Sequence, residues 1–222
     1  MATSTTGARE EVLRRIRAAL GGASTELELI EGEWAGIDRS YRRLGELSRS
    51  GILDELEDRL RDYDAHVERV ISPELTAKIA ELLTTRGVRR VVVPGGLSEA
   101  IGTALPGGFE FIEDRGLTPA ELDQMDGVLT GCTVAISQTG TLILQTVPGQ
   151  GRRAPTLVPD YHLCVVKAED AVETVPEAMD RLHSTASLAT TFVSGPSATA
   201  DIEMTRIKGV HGPRFLDVVL VM

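Results

Sequence analysis

Between His66 and Gly96 the sequence carries a βαβ unit, and no other stretch constrains the fold as much. His66-Val67-Glu68-Arg69-Val70 alternates as a half-exposed strand does. Ser72-Pro73-Glu74-Leu75 opens a helix, with Ser72 as N-cap and Pro73 in its first turn, and Gly87 marks its end. Arg90-Val91-Val92-Val93 is then a buried β-branched strand that finishes in the turn Pro94-Gly95-Gly96. The alternation continues with a helix over 98–105, a strand over 109–112, and a helix whose Thr118 and Glu121 have the spacing of a capping box. Three apolar runs follow without an intervening helix, at 127–135, 141–146 and 161–166. They predict an antiparallel or mixed patch inside an otherwise doubly wound α/β protein. A helix over 172–182, a strand over 190–193 and an apolar strand over 215–222 complete the chain.

The amino-terminal part reads differently. Residues 8–20 place Val12, Leu13, Ile16, Ala19 and Leu20 on one helical stripe, and Gly21-Gly22 stops it. Residues 23–52 lack periodicity and read as a linker with one short helix near 41–47, which Trp34 pins to the core. A short helix over 53–63 leads into the first strand. The expected organisation is therefore a helical extension and linker over 1–64 and an α/β domain over 65–222.

Composition excludes several classes. A net charge of −10 and 4% aromatic residues argue against a nucleic-acid surface, which needs a basic footprint and stacking platforms. No apolar run is long enough to span a bilayer, and the polar start lacks a signal-peptide core, so a cytoplasmic location is expected. The cysteines, Cys132 and Cys164, sit in apolar strand-like segments and read as buried free thiols. Two are too few for an iron–sulfur cluster or a structural zinc site, so no metal or cofactor is expected within this chain.

Candidate chemistry concentrates in two stretches. In the first, Ser194-Gly195-Pro196-Ser197-Ala198-Thr199-Ala200-Asp201-Ile202-Glu203 follows a strand. Gly195 lets backbone approach a ligand, and Ser197 and Thr199 offer hydroxyls near an expected helix start, where free amides favour an anion. The alternative is that Ser197 or Thr199 caps the helix while Asp201 and Glu203 complement its dipole. Farther on, His211 between Gly209 and Gly212-Pro213-Arg214 sits in a rigidly shaped loop, suited to acid–base work or to a turn. Arg214 can take a carboxylate or phosphate in two-pronged fashion. The second stretch is Thr139-Gly140-Thr141 with the basic loop Arg152-Arg153, read either as a wall and charged lid over an acidic ligand or as a solvated hairpin tip. His162, at a strand start, suits a satisfied core histidine equally well. Ligands in open α/β sheets collect at the carboxyl ends of parallel strands, and both the Gly95-Gly96 and Gly195-Pro196 turns are expected at such ends.

These motifs together resemble the LUD-domain family in its lactate utilisation protein C (LutC/YkgG) branch. The matching segments are Ala135-Ile136-Ser137-Gln138-Thr139-Gly140-Thr141, Arg153 with Leu157-Val158-Pro159-Asp160-Tyr161-His162, the Ser194 to Glu203 stretch, and Gly209-Val210-His211-Gly212-Pro213-Arg214. The resemblance implies a three-layer sandwich like the NagB/RpiA/CoA-transferase group, with a mostly parallel sheet. It also implies a non-redox part in oxidising L-lactate to pyruvate, beside a cysteine-rich partner and a partner that carries iron–sulfur centres. A homo-oligomer is compatible with it, and no catalytic residues transfer from it. His211 and Glu203 stand as catalytic candidates. The candidate ligand contacts are Gly95, Gly96, Thr139, Gly140, Thr141, Arg152, Arg153, Ser194, Gly195, Ser197, Thr199, Asp201 and Arg214. The alternative is an independent enzyme acting on a sugar phosphate or a coenzyme A thioester, for which Glu203 is the nearest candidate nucleophile.

Overall fold

A computed structural model of the chain describes residues 5–19, 27–199, 207–208 and 212–222, which fall into two compact units, 1–42 and 43–222. The first unit contributes α1 (Thr5–Ala19) and α2 (Leu27–Gly36). In α1, Glu11 accepts hydrogen bonds from Arg14 and Arg15, while Val12 and Ile16 are exposed. The second helix lies where the sequence predicts only linker. Trp34 is 67% exposed rather than pinned into a core, and the Arg39 guanidinium lies over its ring at 4.9 Å.

The second unit runs through α3 (Arg49–Asp62), β1 (His66–Val70), α4 (Leu75–Thr85), β2 (Arg90–Val93), α5 (Leu97–Ile101), β3 (Glu110–Glu113), α6 (Pro119–Leu122) and β4 (Gly127–Thr130). It continues through β5 (Val134–Ile136), β6 (Thr141–Gln145), β7 (Tyr161–Lys167), β8 (Ala171–Val172), α7 (Val175–Leu182) and β9 (Thr190–Val193). The last strands are β10 (Ala198–Thr199), β11 (Ile207–Lys208) and β12 (Phe215–Val221).

Six strands form one sheet in the order β1-β12-β7-β4-β2-β3, and every neighbouring pair is parallel. The expected mixed patch is a separate sheet, β8-β5-β6-β9, in which β6 runs antiparallel to both neighbours. Central parallel strands bury both faces, which is why β4, β7 and β12 are near-continuous apolar runs. On one face Leu75, Ile79 and Leu83 of α4 pack with Val91, Val93, Leu163, Val165 and Val219. On the other, Leu53, Leu56 and Leu60 of α3 and Leu142 and Leu144 of β6 meet Val67, Cys164, Val166, Val218 and Leu220. The α7 helix closes the outer side of the small sheet through Ala178 and Leu182. The layered, mostly parallel α/β fold expected from the sequence is thus present.

The compact unit begins earlier than the expected position 65, at Arg43. The three α3 leucines are fully buried, and burying each is worth roughly 1.5–3 kcal/mol, so α3 is part of the core rather than of an extension. No helix forms over 41–47. There the Glu173 carboxylate accepts the Glu46 and Leu47 amides at 2.6 Å each, and Thr174 donates to the Arg43 carbonyl at 2.9 Å. The helix expected over 172–182 starts at Val175, because Ala171–Val172 pairs with β5 and Thr174 forms a capping box with Glu177. Among the described residues no helix is long and apolar enough to cross a membrane.

Candidate anion-binding site

Sheet register places the Ser194 loop. Val193 at the end of β9 pairs with Leu142 of β6, so the next residue, Ser194, reaches Thr141, and their hydroxyls lie 2.8 Å apart. Thr141 also meets the Thr139 hydroxyl at 2.7 Å. The two expected walls therefore join, through Thr139, Thr141 and Ser194.

The glycines in these walls have a packing reason. Gly140 (φ +59°) and Gly195 (φ +81°) sit against the end of α3, where an added Cβ would come within 2.9 Å of the Arg59 Cβ and 2.5 Å of the Tyr63 Cβ. Both need left-handed backbone and the missing side chain. For Gly195 the close approach that the structure shows is to Tyr63. The loop is closed from the far side by the Ser197 amide, which donates to the Pro213 carbonyl at 2.8 Å. Ser197 does not precede a helix: Ala198–Thr199 is a short strand paired with Ile207–Lys208. Asp201, Glu203 and His211 lie outside the described residues, as does the Thr199 side chain.

A pocket of about 260 Å³ opens between this loop and the main sheet. Ser194, Gly195, Ser197, Gly212 and Pro213 line one side, and Arg153, Thr156, His162 and Leu216 the other, with Phe192 and Val193 beside them. His162 and Leu216 are register partners in the first turns of β7 and β12. The pocket thus lies at the amino ends of the parallel strands, not the carboxyl ends expected from the sequence. The reason is topological: β9, which delivers Gly195, belongs to the antiparallel sheet.

His162 is 2% exposed, and its Nε2 lies 2.8 Å from the Thr130 hydroxyl. Burial, reinforced by the positive charge of Arg153, lowers its pKa to about 4, so the ring is neutral at pH 7. Among the described residues Nδ1 has no protein partner, and it is not sealed from the pocket. Arg153 donates from Nη1 to the Thr156 carbonyl at 2.9 Å and to its hydroxyl at 2.6 Å. Partial desolvation lowers its pKa, yet an arginine remains charged at neutral pH. No carboxylate among the described residues pairs with it.

The other candidate contacts go elsewhere. Arg152 does not share a lid with Arg153: its Nε and Nη2 grip Asp114 at 2.7 and 2.8 Å, and Nη2 also donates to the Leu117 carbonyl at 2.5 Å. Burial alone would raise the Asp114 pKa, but Arg152 and the Leu117 and Gly116 amides hold it below the ordinary value. Arg214 is engaged by Asp160 in a two-pronged pair outside the pocket lining. Gly95 and Gly96 do lie at the carboxyl end of β2, but they pack against the Pro148-Gly149 turn, with the Gly149 amide donating to the Gly95 carbonyl at 2.9 Å.

His162 and Thr156 are the contacts that sequence reasoning left out. The signal for His162 was an imidazole inside the apolar run Tyr161-His162-Leu163-Cys164, on the face that alternation turns toward the small sheet. The two cysteines meet, although they are distant in sequence. Contact with Cys164, together with burial, pushes the Cys132 thiol well above its ordinary pKa, and the Cys164 thiol points at the Gly131 carbonyl. Among the described residues no cluster of three or more His, Cys, Asp and Glu side chains could hold a metal ion.

Residues 53–221 match the LUD domain family. Over 221 residues the chain is 41% identical to lactate utilization protein C of Deinococcus radiodurans, covering 98% of this chain and 97% of the relative. Lactate utilization protein C of Bacillus pumilus is 27% identical, with 92% of each chain covered. The crystal structure of a DUF162 family protein from Deinococcus radiodurans, 42% identical, superposes with a TM-score of 0.69 over 80% of this chain and 100% of that one. With its motifs, its parallel sheet and this similarity in agreement, the chain belongs to the LUD domain family.

Proposed function

We propose that the chain is a non-redox component of a cytoplasmic, multi-protein system that oxidises L-lactate to pyruvate, and that its pocket holds a small anionic ligand. The observation that carries the ligand is Arg153, a guanidinium facing a pocket in which no described carboxylate offsets its charge. A paired arginine stabilises structure, whereas one left open beside hydroxyls and a neutral imidazole suits an incoming anion. Support for the pathway comes from the relatives named lactate utilization protein C, one of them similar along nearly the whole chain. Two cysteines are too few for an iron–sulfur centre, so the redox steps fall to cysteine-rich and iron–sulfur partners.

The test is genetic and biochemical. Deleting the gene should abolish growth on L-lactate, the intact chain should restore it, and the purified chain alone should not oxidise lactate. Growth on lactate without the chain overturns the pathway assignment. Turnover of a sugar phosphate or a coenzyme A thioester by the pure chain replaces it with an independent enzyme.

A further inference from the structure

We infer that β9 is a surface through which two copies of the chain associate. Its open edge pairs antiparallel with the same edge of a second copy, about a two-fold axis at Thr191.

The ladder shows which backbone groups are open. β9 is the last strand of the small sheet, paired on one side with β6. The Thr146 amide donates to the Ala189 carbonyl, and on the β5 side the Thr133 amide donates to the Ile143 carbonyl. Bonded and unbonded pairs alternate along an antiparallel ladder. Thr191 and Val193 therefore bond to β6, whereas Thr190 and Phe192 turn their carbonyls and amides outward. Among the described residues nothing meets these outward backbone groups, and the Phe192 side chain is 50% exposed.

Proteins blunt such edges with charge, proline, a bulge, short length or a cover. The other edges of the two larger sheets are blunted. β1 carries His66, Glu68 and Arg69, and β3 is bounded by Glu110 and Glu113. β8 has two residues, and Arg49 donates to its Ala171 carbonyl at 2.7 Å. Thr190-Thr191-Phe192-Val193 has no charge and no proline, and all four are strand-forming residues.

Charge names the occupant. With a net charge of −10, two copies repel over most of their surfaces. Antiparallel self-pairing of β3 would set Glu110 against Glu113 of the second copy, a like-charge pair, whereas uncharged β9 meets itself without that cost. Centring the pair on Thr191 uses both outward residues. Thr190 of one copy exchanges its backbone bonds with Phe192 of the other, and the two-fold axis repeats the exchange. Thr191 then faces Thr191 of the second copy as an unbonded pair. Phe192 lies beside Thr190 of the second copy, an aromatic and β-branched pair of the kind that stabilises sheets. Its register partner, Ile143, packs with Ala178 and Leu182, so Phe192 stands on the α7 face of the small sheet. A contact built on one short strand belongs to the small, reversible class of interfaces. Because β9 runs directly into Ser194, the pair also steadies the strand that delivers the Ser194 loop.

The experiment is sedimentation equilibrium of the full chain from about 1 to 300 μM, with Phe192→Lys and Thr191→Cys beside it. Wild type should pass from monomer to dimer within that range. Phe192→Lys should weaken association at least about tenfold, while the dilute monomer unfolds as wild type does, since the side chain is half exposed. Thr191→Cys should form a covalent dimer when oxidised with copper phenanthroline, because an unbonded antiparallel pair brings its Cα atoms within disulfide reach. Wild type, whose cysteines are Cys132 and Cys164, should not. A wild type that stays monomeric throughout overturns the self-pairing and leaves the edge to a strand of another protein. A dimer undiminished by Phe192→Lys, or one in which Thr191→Cys does not cross-link, places the contact elsewhere and overturns it equally.

Discussion

Strands β7 and β12 carry an arginine-centred cluster on each face, and the two clusters are built on successive residues. On the α4 face, Arg86 grips the buried Asp217 through Nη2 at 2.5 Å and Nε at 3.1 Å, and the Tyr161 hydroxyl donates to the same carboxylate at 2.9 Å. The guanidinium lies over the Phe215 ring at 5.0 Å and the Tyr161 ring at 5.8 Å. Burial and the neighbouring carboxylate push the Tyr161 phenol far up, so it remains a donor. On the opposite face, one residue along each strand, His162 and Leu216 meet Arg153, and no described acid answers its charge. The Arg86 side even opens into the larger cavity, about 500 Å³ against about 260 Å³. Volume alone would therefore favour the Arg86 face over the one proposed. Compensation of charge separates an arginine that holds the sheet together from one whose charge no described acid offsets, the one proposed to take a ligand.

The comparison breaks first at Arg86. Its removal strands the Asp217 carboxylate, 1% exposed, so Arg86→Ala should cost about 3–5 kcal/mol in urea unfolding. A loss below about 1 kcal/mol would show that the pair is dispensable and that the two clusters do not differ in kind. The next effect belongs to His162. Its folded pKa is depressed, from 6.5 to about 4, so its contribution to stability is complete above pH 6.5 and lost as pH falls toward 4. Wild type should lose about 3 kcal/mol more across that window than His162→Asn, read from unfolding curves at each pH. Parallel profiles would mean that the imidazole is not held neutral.

How much of this could be read from the chain follows from how local each cause is. The βαβ alternation, the Thr118 capping box and the apolar central strands depend on residues a few positions apart, and they emerged where expected. The joining of Thr141 to Ser194 was suggested by their hydroxyls, but it is produced by antiparallel register across 53 residues. Arg152 and Arg153 are adjacent, yet one turns to Asp114 and the other to the pocket, a choice made by a carboxylate 38 residues away. Directly after Ser197, where a helix start is expected, Ala198–Thr199 is a strand paired with Ile207–Lys208, so the amides at that point are not those of a helix terminus. His162 looked like an ordinary core histidine because its environment comes from Thr130 on β4 and Arg153 in the preceding loop.

The smallest stability effect carries the largest functional one, and it tests the account most directly. Thermal unfolding of wild type and Arg153→Ala, each with and without pyruvate, separates the two roles in one measurement. Without ligand Arg153→Ala should lose about 1–2 kcal/mol, the worth of its hydrogen bonds to Thr156 and well short of the Arg86→Ala cost, since no described ion pair is lost. Pyruvate should stabilise wild type and leave Arg153→Ala unmoved. A variant that unfolds as readily as Arg86→Ala, or that is stabilised by pyruvate as well as wild type is, would contradict the assignment of Arg153 as the open cation of an anion site.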